Sequence, residues 1–96
     1  MSKSINLALV GASGVVGSKI ISIFEKKNIV INNFYPLGSS SVGNHVIFND
    51  HKYQIEKLAT FDSSLADIAI FSAGSKVAKQ YAESFVNKGT YVIDLS

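Results

Sequence analysis

The sequence lacks cysteine and arginine, and each absence excludes a kind of site. None of the 96 residues is cysteine, so disulfides, thiolate metal ligands and a cysteine nucleophile are excluded within this segment. Its nine Lys and Arg positions are all lysine, so no side chain offers the planar fork with which arginine binds a phosphate or a carboxylate. Any cysteine nucleophile must therefore lie outside these residues.

The sequence also has only a small excess of positive charge and no long apolar run. The formal net charge is +2 and the lysines are scattered, so the chain has no basic stripe for nucleic acid. No apolar run approaches membrane-spanning length, and residues 1–4 lack the pattern of a signal peptide. Since 47% of the residues are hydrophobic, a small core is possible. We expect one domain over residues 1–96, in a cytoplasmic protein that binds neither nucleic acid nor membrane.

Apolar strands alternate with amphipathic helices along the chain. The sequence predicts strands over 5–10, 34–38, 67–72 and 91–94, helices over 14–27 and 76–87, and a hairpin with strands 46–48 and 53–55. This alternation is typical of a parallel α/β sheet. The predicted fold is the N-terminal portion of a Rossmann-type, doubly wound parallel sheet.

A glycine-rich turn joins the first strand to the first helix, and it reads Gly11-Ala12-Ser13-Gly14-Val15-Val16-Gly17. In such a turn the first glycine permits a tight bend, the second lets a phosphate approach, and the third lets the helix pack on the strand. Backbone amides at the helix N-terminus can then face a pyrophosphate. The turn predicts a dinucleotide site, and a purely structural strand-to-helix turn is the alternative.

The loop after the second strand bears on the choice of cofactor. Sites that prefer NAD usually carry an acid about 20 residues after the glycines, which holds the ribose 2'-hydroxyl. The corresponding region, residues 35–39, has no acid; it ends at Ser39, and Ser40 and Ser41 come next. Serine hydroxyls and backbone amides could receive a 2'-phosphate. The loop therefore favours NADP, with NAD and a plain polar loop as the alternatives.

Four blocks resemble the aspartate-semialdehyde dehydrogenase family, and together they run over nearly the whole chain. They are residues 11–17, 37–43, 67–75 and 92–94, of which the Phe-Ser-Ala-Gly run beginning at Phe71 is the most specific. In that family the glycine turn binds the NADP pyrophosphate and the Ser-Ala-Gly segment lies along the nicotinamide side. The resemblance implies those roles for Ser13, Gly14, Val15 and Val16 in the turn, and for Ser72, Ala73 and Gly74.

The serine loop departs from the family pattern. The family commonly has Ser-x-Arg-Ser-Ala-Gly-Lys there, and its Arg and Ser clasp the 2'-phosphate. This chain is one residue shorter in that loop, with Ser in place of Arg and Asn44 in place of Lys. The residue types that would bind the 2'-phosphate are thus only partly those of the family.

The resemblance also implies a reaction for the whole enzyme. It is the reductive dephosphorylation of aspartyl phosphate to aspartate semialdehyde, or the reverse, in the biosynthesis of lysine, threonine, methionine and diaminopimelate. A cysteine would form a thioacyl intermediate and a histidine would act as acid and base. These groups belong beyond the equivalent of Ser96, so we expect no catalytic residue in this chain. We expect it to be part of a longer enzyme that forms a homodimer through the remaining part.

Three other interpretations stay open. The related N-acetyl-glutamyl-phosphate reductases often end this region as residues 93–96 do, although the Phe-Ser-Ala-Gly run argues against them. A free-standing dinucleotide-binding module without a reaction is the second interpretation. The third is a non-binding remnant whose sheet has an uncovered edge at Val92 and Ile93.

Several side chains invite a functional interpretation that their context does not favour. His45 and His51 flank the predicted hairpin among polar neighbours, so we interpret them as surface residues and predict no metal site. Lys76 could reach a cofactor phosphate, but a solvated first-turn lysine is the preferred interpretation. Tyr81 and Phe85 have the spacing of a helix face that packs on a sheet, so we place both in the core rather than in a stacking platform.

Overall fold

The chain forms a five-stranded parallel sheet with one helix packed on each face. The computed structural model describes residues 5–95. Its elements are β1 (Ile5–Val10), α1 (Val15–Lys26), β2 (Ile31–Gly38), β3 (His45–Phe48), β4 (His51–Gln54), β5 (Glu56–Lys57), β6 (Ile68–Phe71), α2 (Ser75–Asn87) and β7 (Tyr91–Asp94). The sheet order is β5-β2-β1-β6-β7, and all its neighbours pair in parallel. Neither helix in this part of the chain is long and apolar enough to cross a membrane.

The central strand β1 is buried on both faces, as its apolar run predicts. Leu7 and Leu9 belong to the hydrophobic cluster under α1, while Ala8 and Val10 belong to the cluster under α2. This separation follows from the period of two in a strand. Each of the four side chains is at most 1% exposed. The predicted doubly wound α/β fold is confirmed.

Strands β3 and β4 form the predicted hairpin, which covers the α1 face beside the helix. The ring of Phe34 on β2 lies 4.9 Å from Phe48 and 5.1 Å from Tyr53, measured between centroids. The turn contains only Asn49 and Asp50, both with positive φ, as type I' hairpins require. The predicted four-residue turn over 49–52 is therefore too long, since asparagine and aspartate adopt this conformation without glycine.

Two parts of the sheet differ from the sequence prediction. Strand β2 begins at Ile31, three residues before the predicted start at Phe34. Asn32 and Asn33 interrupt the apolar pattern there, and their side-chain amides donate to the Oδ1 of Asn6 at 3.1 and 3.0 Å. The two-residue strand β5 was not predicted, because two polar residues carry no periodic pattern.

Strand β7 lies at one edge of the sheet. Val92 packs against the cluster under α2, whereas Tyr91 and Ile93 are 69% and 37% exposed on the other face. The hydrophobic cluster under α1 on that face includes residues of β1, β2 and β6 and none of β7. Strand β7 is therefore the outermost strand of the sheet that residues 5–95 form, and the apolar side chains on one of its faces are exposed.

Candidate functional site

The carboxyl ends of β1 and β6 lie side by side at the point where the winding of the sheet reverses. From β1 the chain continues to β2 and β5 on one side, and it then returns to β6 on the other side of β1. The loops that follow β1 and β6 diverge, and α/β sheets bind ligands in the crevice that this divergence leaves. The glycine turn and the segment that begins at Ser72 both border that crevice.

The glycine turn leaves backbone amides free at the start of α1. Gly14 is the N-cap of the helix, and no side chain caps it. The amide of Ser18 donates to the carbonyl of Gly14 at 2.9 Å, so the preceding amides of Val15, Val16 and Gly17 have no intrahelical acceptor. No acidic side chain lies in the first turn. The positive end of the helix is therefore available to an anion.

Close backbone contacts explain the glycines at two positions of the turn. A Cβ atom on Gly17 would overlap the carbonyl oxygen of Gly11 and lie 2.9 Å from the Cα of Ala12. A Cβ on Gly11 would lie 3.0 Å from the amide nitrogen of Ala73, and the φ of Gly11 is +84°. These two glycines let α1, β1 and the loop after β6 approach one another. Gly17 itself is buried below the turn.

Gly14 differs from the other two glycines, because its surroundings are open. A Cβ there would contact only the carbonyl oxygen of Gly11, at 3.4 Å. Its φ of −76° is one that any residue adopts. The fold therefore does not require glycine at position 14. The role that remains for it is the close approach of a ligand.

Ser72 joins the two loops at the crevice. Its hydroxyl donates to the carbonyl of Val10 at 2.8 Å, and its backbone amide donates to the same oxygen at 2.9 Å. The hydroxyl proton is therefore engaged within the protein, while the oxygen still has acceptor capacity. The next two residues, Ala73 and Gly74, are exposed at the mouth of the crevice.

A second helix N-terminus opens at the same edge of the sheet. Gly74 is the N-cap of α2 with φ +100°, and it too lacks a side-chain cap. The first turn of α2 contains no acid. Two helices thus direct uncapped amides and positive dipole ends towards the carboxyl edge of the sheet. This arrangement is suited to a ligand with several negative charges.

The serine loop is held in place by its contacts with Ile55. The amide of Asn44 donates to the carbonyl of Ser41 at 3.0 Å, and Gly43 between them has φ +92°, as at the third position of a type II turn. Gly43 donates to the carbonyl of Ile55, and Ile55 donates to that of Asn44. The hydroxyl of Ser41 lies over Gly38. Ser39 and Ser40 are exposed.

A cavity of about 200 Å³ opens beside the two loops, at the carboxyl ends of β1, β2 and β5. Two of its lining residues, Ser39 and Ala73, are among the site residues predicted from the sequence; Ser40 and Ser41 do not line it. The other lining residues are Val10, Gly38, Lys57, Leu58, Ala59, Val77, Gln80 and Tyr81. The cavity is therefore mostly apolar and has a single charged side chain.

The two aromatic residues that the sequence assigns to the core face of α2 differ in position. Phe85 is 2% exposed and lies in the core as predicted. Tyr81, predicted as core as well, packs on the core with one part and borders the cavity with another.

Sequence reasoning missed Val77, Tyr81 and Lys57 as residues that line the cavity. Val77 and Tyr81 are four residues apart in α2, so the helical period could have placed them together at the carboxyl edge of the sheet. Lys57 has no such signal, because it lies on the unpredicted strand β5.

A second, shallower cavity of about 380 Å³ lies between α1 and β3. Of the predicted site residues it includes only Ser13, and its remaining lining comes from the outer side of α1 and from the hairpin. His45 lies there and is exposed, as is His51. This cavity touches the glycine turn at Ala12 and Ser13, but it includes no residue of the serine loop at 39–41 or of the segment that begins at Ser72. We therefore place the functional site in the first cavity and the adjoining crevice.

A doubly wound sheet with a glycine-rich turn and an uncapped helix N-terminus at its switch point defines a Rossmann-type dinucleotide-binding domain. Comparison with known proteins identifies the group within that class. Residues 6–96 match the family model described as "Semialdehyde dehydrogenase, NAD binding domain". The chain belongs to the semialdehyde dehydrogenase family, and a nicotinamide dinucleotide is the cofactor of this domain.

Individual relatives agree with the family model. The chain is 45% identical over 95 residues to an aspartate-semialdehyde dehydrogenase of Legionella pneumophila, and 39% identical over 97 residues to one of Rickettsia bellii. These alignments cover 98% and 100% of this chain, but 27% and 29% of the relatives. The resemblance inferred from the sequence is confirmed. The relatives' names favour this branch over the reductases.

A solved structure shares the fold. The crystal structure of aspartate semialdehyde dehydrogenase II from Vibrio cholerae, complexed with ASA, superposes with a TM-score of 0.94 at 28% identity. The match covers 98% of this chain and 32% of that one. The architecture described above is therefore that of an oxidoreductase cofactor domain, and the chain spans about a third of the solved enzyme.

Proposed function

We propose that this chain binds NADP as the cofactor domain of an aspartate-semialdehyde dehydrogenase. The observation that carries the proposal is the convergence of two uncapped helix N-termini, at Gly14 and Gly74, on one crevice. A mostly apolar cavity adjoins that crevice. Free amides suit the pyrophosphate and the cavity suits a nucleoside, so both chemical parts of a dinucleotide have a matching surface.

The chain's own residues bind and orient the cofactor in this proposal. The amides of Val15 and Val16 hold the pyrophosphate, with Gly11, Ser13, Gly14 and Gly17 shaping the turn. The adenosine half occupies the cavity next to Ser39, and the serines at 39–41 face its 2'-phosphate. Ser72, Ala73 and Gly74 lie along the nicotinamide, and the bond from Ser72 to Val10 fixes that segment against the turn.

The reaction of the whole enzyme follows from the relatives and remains part of the proposal. When bound, the dinucleotide would supply or accept the hydride as aspartyl phosphate and aspartate semialdehyde interconvert, with release or uptake of inorganic phosphate. This segment contributes no acid, base or nucleophile; it orients the cofactor and leaves the cysteine and histidine to other parts of the enzyme. We extend the proposal to a cytoplasmic homodimer that acts in lysine, threonine, methionine and diaminopimelate biosynthesis.

Calorimetric titration of the 96-residue chain with NADPH and with NADH tests the proposal. We expect saturable binding of both, tighter for NADPH. The substitution Gly14→Ala provides the site control: its Cβ fits the fold but lies where the pyrophosphate approaches, so binding should weaken about tenfold or more. If the folded chain binds neither nucleotide, or if Gly14→Ala binds as well as the parent, the assigned site is wrong.

A further inference from the structure

The family's serine-loop arginine is absent from this chain, yet a cation from another strand lies beside that loop. Lys57 is the last residue of β5, and its register partner on β2 is Gly38. Gly38 immediately precedes Ser39, so the parallel pairing brings a lysine to the start of the serine loop. Nineteen positions separate Lys57 from Gly38 in the sequence, and only the pairing of β5 with β2 makes them neighbours.

Lys57 and Ser39 line the same cavity. Among its lining residues Lys57 is the single charged one, and none carries a carboxylate. The neighbouring acid, Glu56, pairs with Leu37 and does not line the cavity. The wall of the cavity on the β2 side therefore combines a cation with a hydroxyl and has no group to hold the ribose 2'-hydroxyl of NAD in the usual way.

We infer that Lys57 is the specificity-determining residue that makes this site prefer NADP over NAD. The inference rests on the proposed function and assigns the 2'-phosphate to the Lys57 ammonium together with the Ser39 hydroxyl. A phosphate monoester carries a charge of about −1.5 to −2 at neutral pH. A lysine ammonium is a compact charge on a flexible stem, and it binds phosphate as a point charge from a strand end as well as from a loop.

Within the described part of the chain, no other lysine lines this cavity. Lys76 lies in the first turn of α2, on the nicotinamide side of the crevice, and does not line the cavity. Lys52 lies on the hairpin strand β4 and lines neither cavity. Both are exposed, as Lys57 is. Position beside Ser39 distinguishes Lys57, and Lys52 offers a matched control of equal charge.

Titrations of the parent chain, Lys57→Gln and Lys52→Gln with NADPH and NADH test the inference. A second pair of ligands, adenosine 2',5'-bisphosphate and 5'-AMP, measures the contribution of the 2'-phosphate to binding. We expect Lys57→Gln to weaken the binding of NADPH and of the bisphosphate about five- to tenfold, because an exposed charge-assisted contact is lost. Binding of NADH and 5'-AMP should stay unchanged. Lys52→Gln should bind all four ligands as the parent does, and thermal melts should show all three chains equally folded.

The outcomes separate the two proposals. If Lys57→Gln retains the parent's affinity for NADPH, or if both lysine variants weaken it equally, Lys57 is not the determinant and the dinucleotide site stands. If the parent binds NADH as tightly as NADPH, the NADP preference is overturned while cofactor binding stands. If the folded parent binds none of the four ligands, the proposed function fails and the role of Lys57 fails with it.

Discussion

At Gly17 the backbones of α1 and of the turn after β1 touch directly, with no room for a side chain. The atoms that a Cβ would meet, the carbonyl oxygen of Gly11 and the Cα of Ala12, belong to the main chain. A side-chain rotation cannot relieve such a contact. The position of the free amides above the crevice therefore depends on the absence of one methyl group.

We predict that Gly17→Ala destabilises the chain by about 3 kcal/mol, since the backbones must separate to admit the methyl group. Gly14→Ala is the matched control, because the same atom fits there, and its stability should lie within about 0.5 kcal/mol of the parent. Urea denaturation followed by circular dichroism measures both. Equal stabilities for the two variants would show that the helix does not pack on the turn as described.

Thr90 is a buried polar residue that connects two loops at the amino ends of β6 and β7, the end of the sheet opposite to the crevice. Its hydroxyl lies 3.0 Å from the carbonyl oxygens of both Ser63 and Ala66, and the residue is 4% exposed. The start of β7 is thereby tied to the segment that leads into β6. One hydroxyl proton serves two acceptors, and Ser63 also receives the amide of Ala66.

Replacement Thr90→Val should cost about 1–2 kcal/mol, because it leaves the carbonyl of Ala66 without its hydroxyl donor in a buried site. Thr90→Ser keeps the hydroxyl and loses only a methyl group, so it should be the less damaging change. Chemical denaturation of the three chains ranks them. A valine variant more stable than the serine variant would mean that the hydrogen bonds contribute less than the packing.

The role of a single residue was predictable from the sequence where local backbone conformation alone determines it. The spacing of Gly11, Gly14 and Gly17 predicts a turn, and the structure has that turn at the switch point. By contrast, the bond from Ser72 to Val10 and the position of Lys57 beside Gly38 depend on strands distant in sequence. Local patterns contain no information on such pairings, so neither contact could be derived without the fold.

At the scale of secondary-structure elements, a carboxylate lies at the N-terminus of the short 3-10 helix Ser63–Leu65. Asp62 is its N-cap and accepts hydrogen bonds from the hydroxyl and the amide of Ser64, at 2.7 and 3.0 Å. These bonds, with a smaller contribution from the charge of Lys88, hold the pKa of Asp62 below its ordinary value of 3.8. The charged carboxylate therefore stabilises the turn.

The lowered pKa of Asp62 fixes the sign of its pH dependence. The stabilisation is fully present above the ordinary value of 3.8 and is lost as the pH falls through the lowered pKa of the folded state. The difference in stability between the parent and Asp62→Ala should therefore shrink in acid. Carboxyl-carbon NMR titration measures the pKa itself, and a value at or above 3.8 would contradict the capping geometry.

The elements with a sustained apolar pattern were the more predictable ones. Helix α1 was expected over 14–27 and spans Val15–Lys26, and β1 and β7 have their predicted bounds. Their apolar periodicity is sustained, so propensity and packing agree. Strand β5 and the first residues of β2 are short or polar, and pairing with neighbouring strands produces them. The hairpin was foreseen, but its turn length depended on the positive φ of Asn49 and Asp50.

For the whole molecule, the order of the strands places the site. Because β6 lies on the opposite side of β1 from β2, the glycine turn and the Ser72 segment border one crevice, and the serine loop borders the adjoining cavity. Three segments that are separate in the sequence thereby meet at one edge of the sheet. Residue patterns alone predicted the glycine turn and the serine loop as parts of a cofactor site, and the family resemblance added the segment that begins at Ser72.

Among residues 5–95, the opposite, amino edge of the sheet has no such features. Thr90 and Asp62 lie there and serve the packing of the loops. The groove between α1 and β3 reaches the glycine turn only at Ala12 and Ser13 and includes no residue of the serine loop or of the segment that begins at Ser72. A dinucleotide should therefore affect a single contiguous set of residues, and the location of that set is the central claim of this account.

Titration of the 15N-labelled chain with NADPH, followed residue by residue in NMR spectra, tests that claim most directly. We expect the largest amide shifts at Gly14, Val15 and Val16, at Ala73 and Gly74, and at Ser39. Amides around Thr90 and in the hairpin turn should not move. Shifts confined to the groove between α1 and β3, or no shifts at saturating NADPH in a folded chain, would contradict the assigned site.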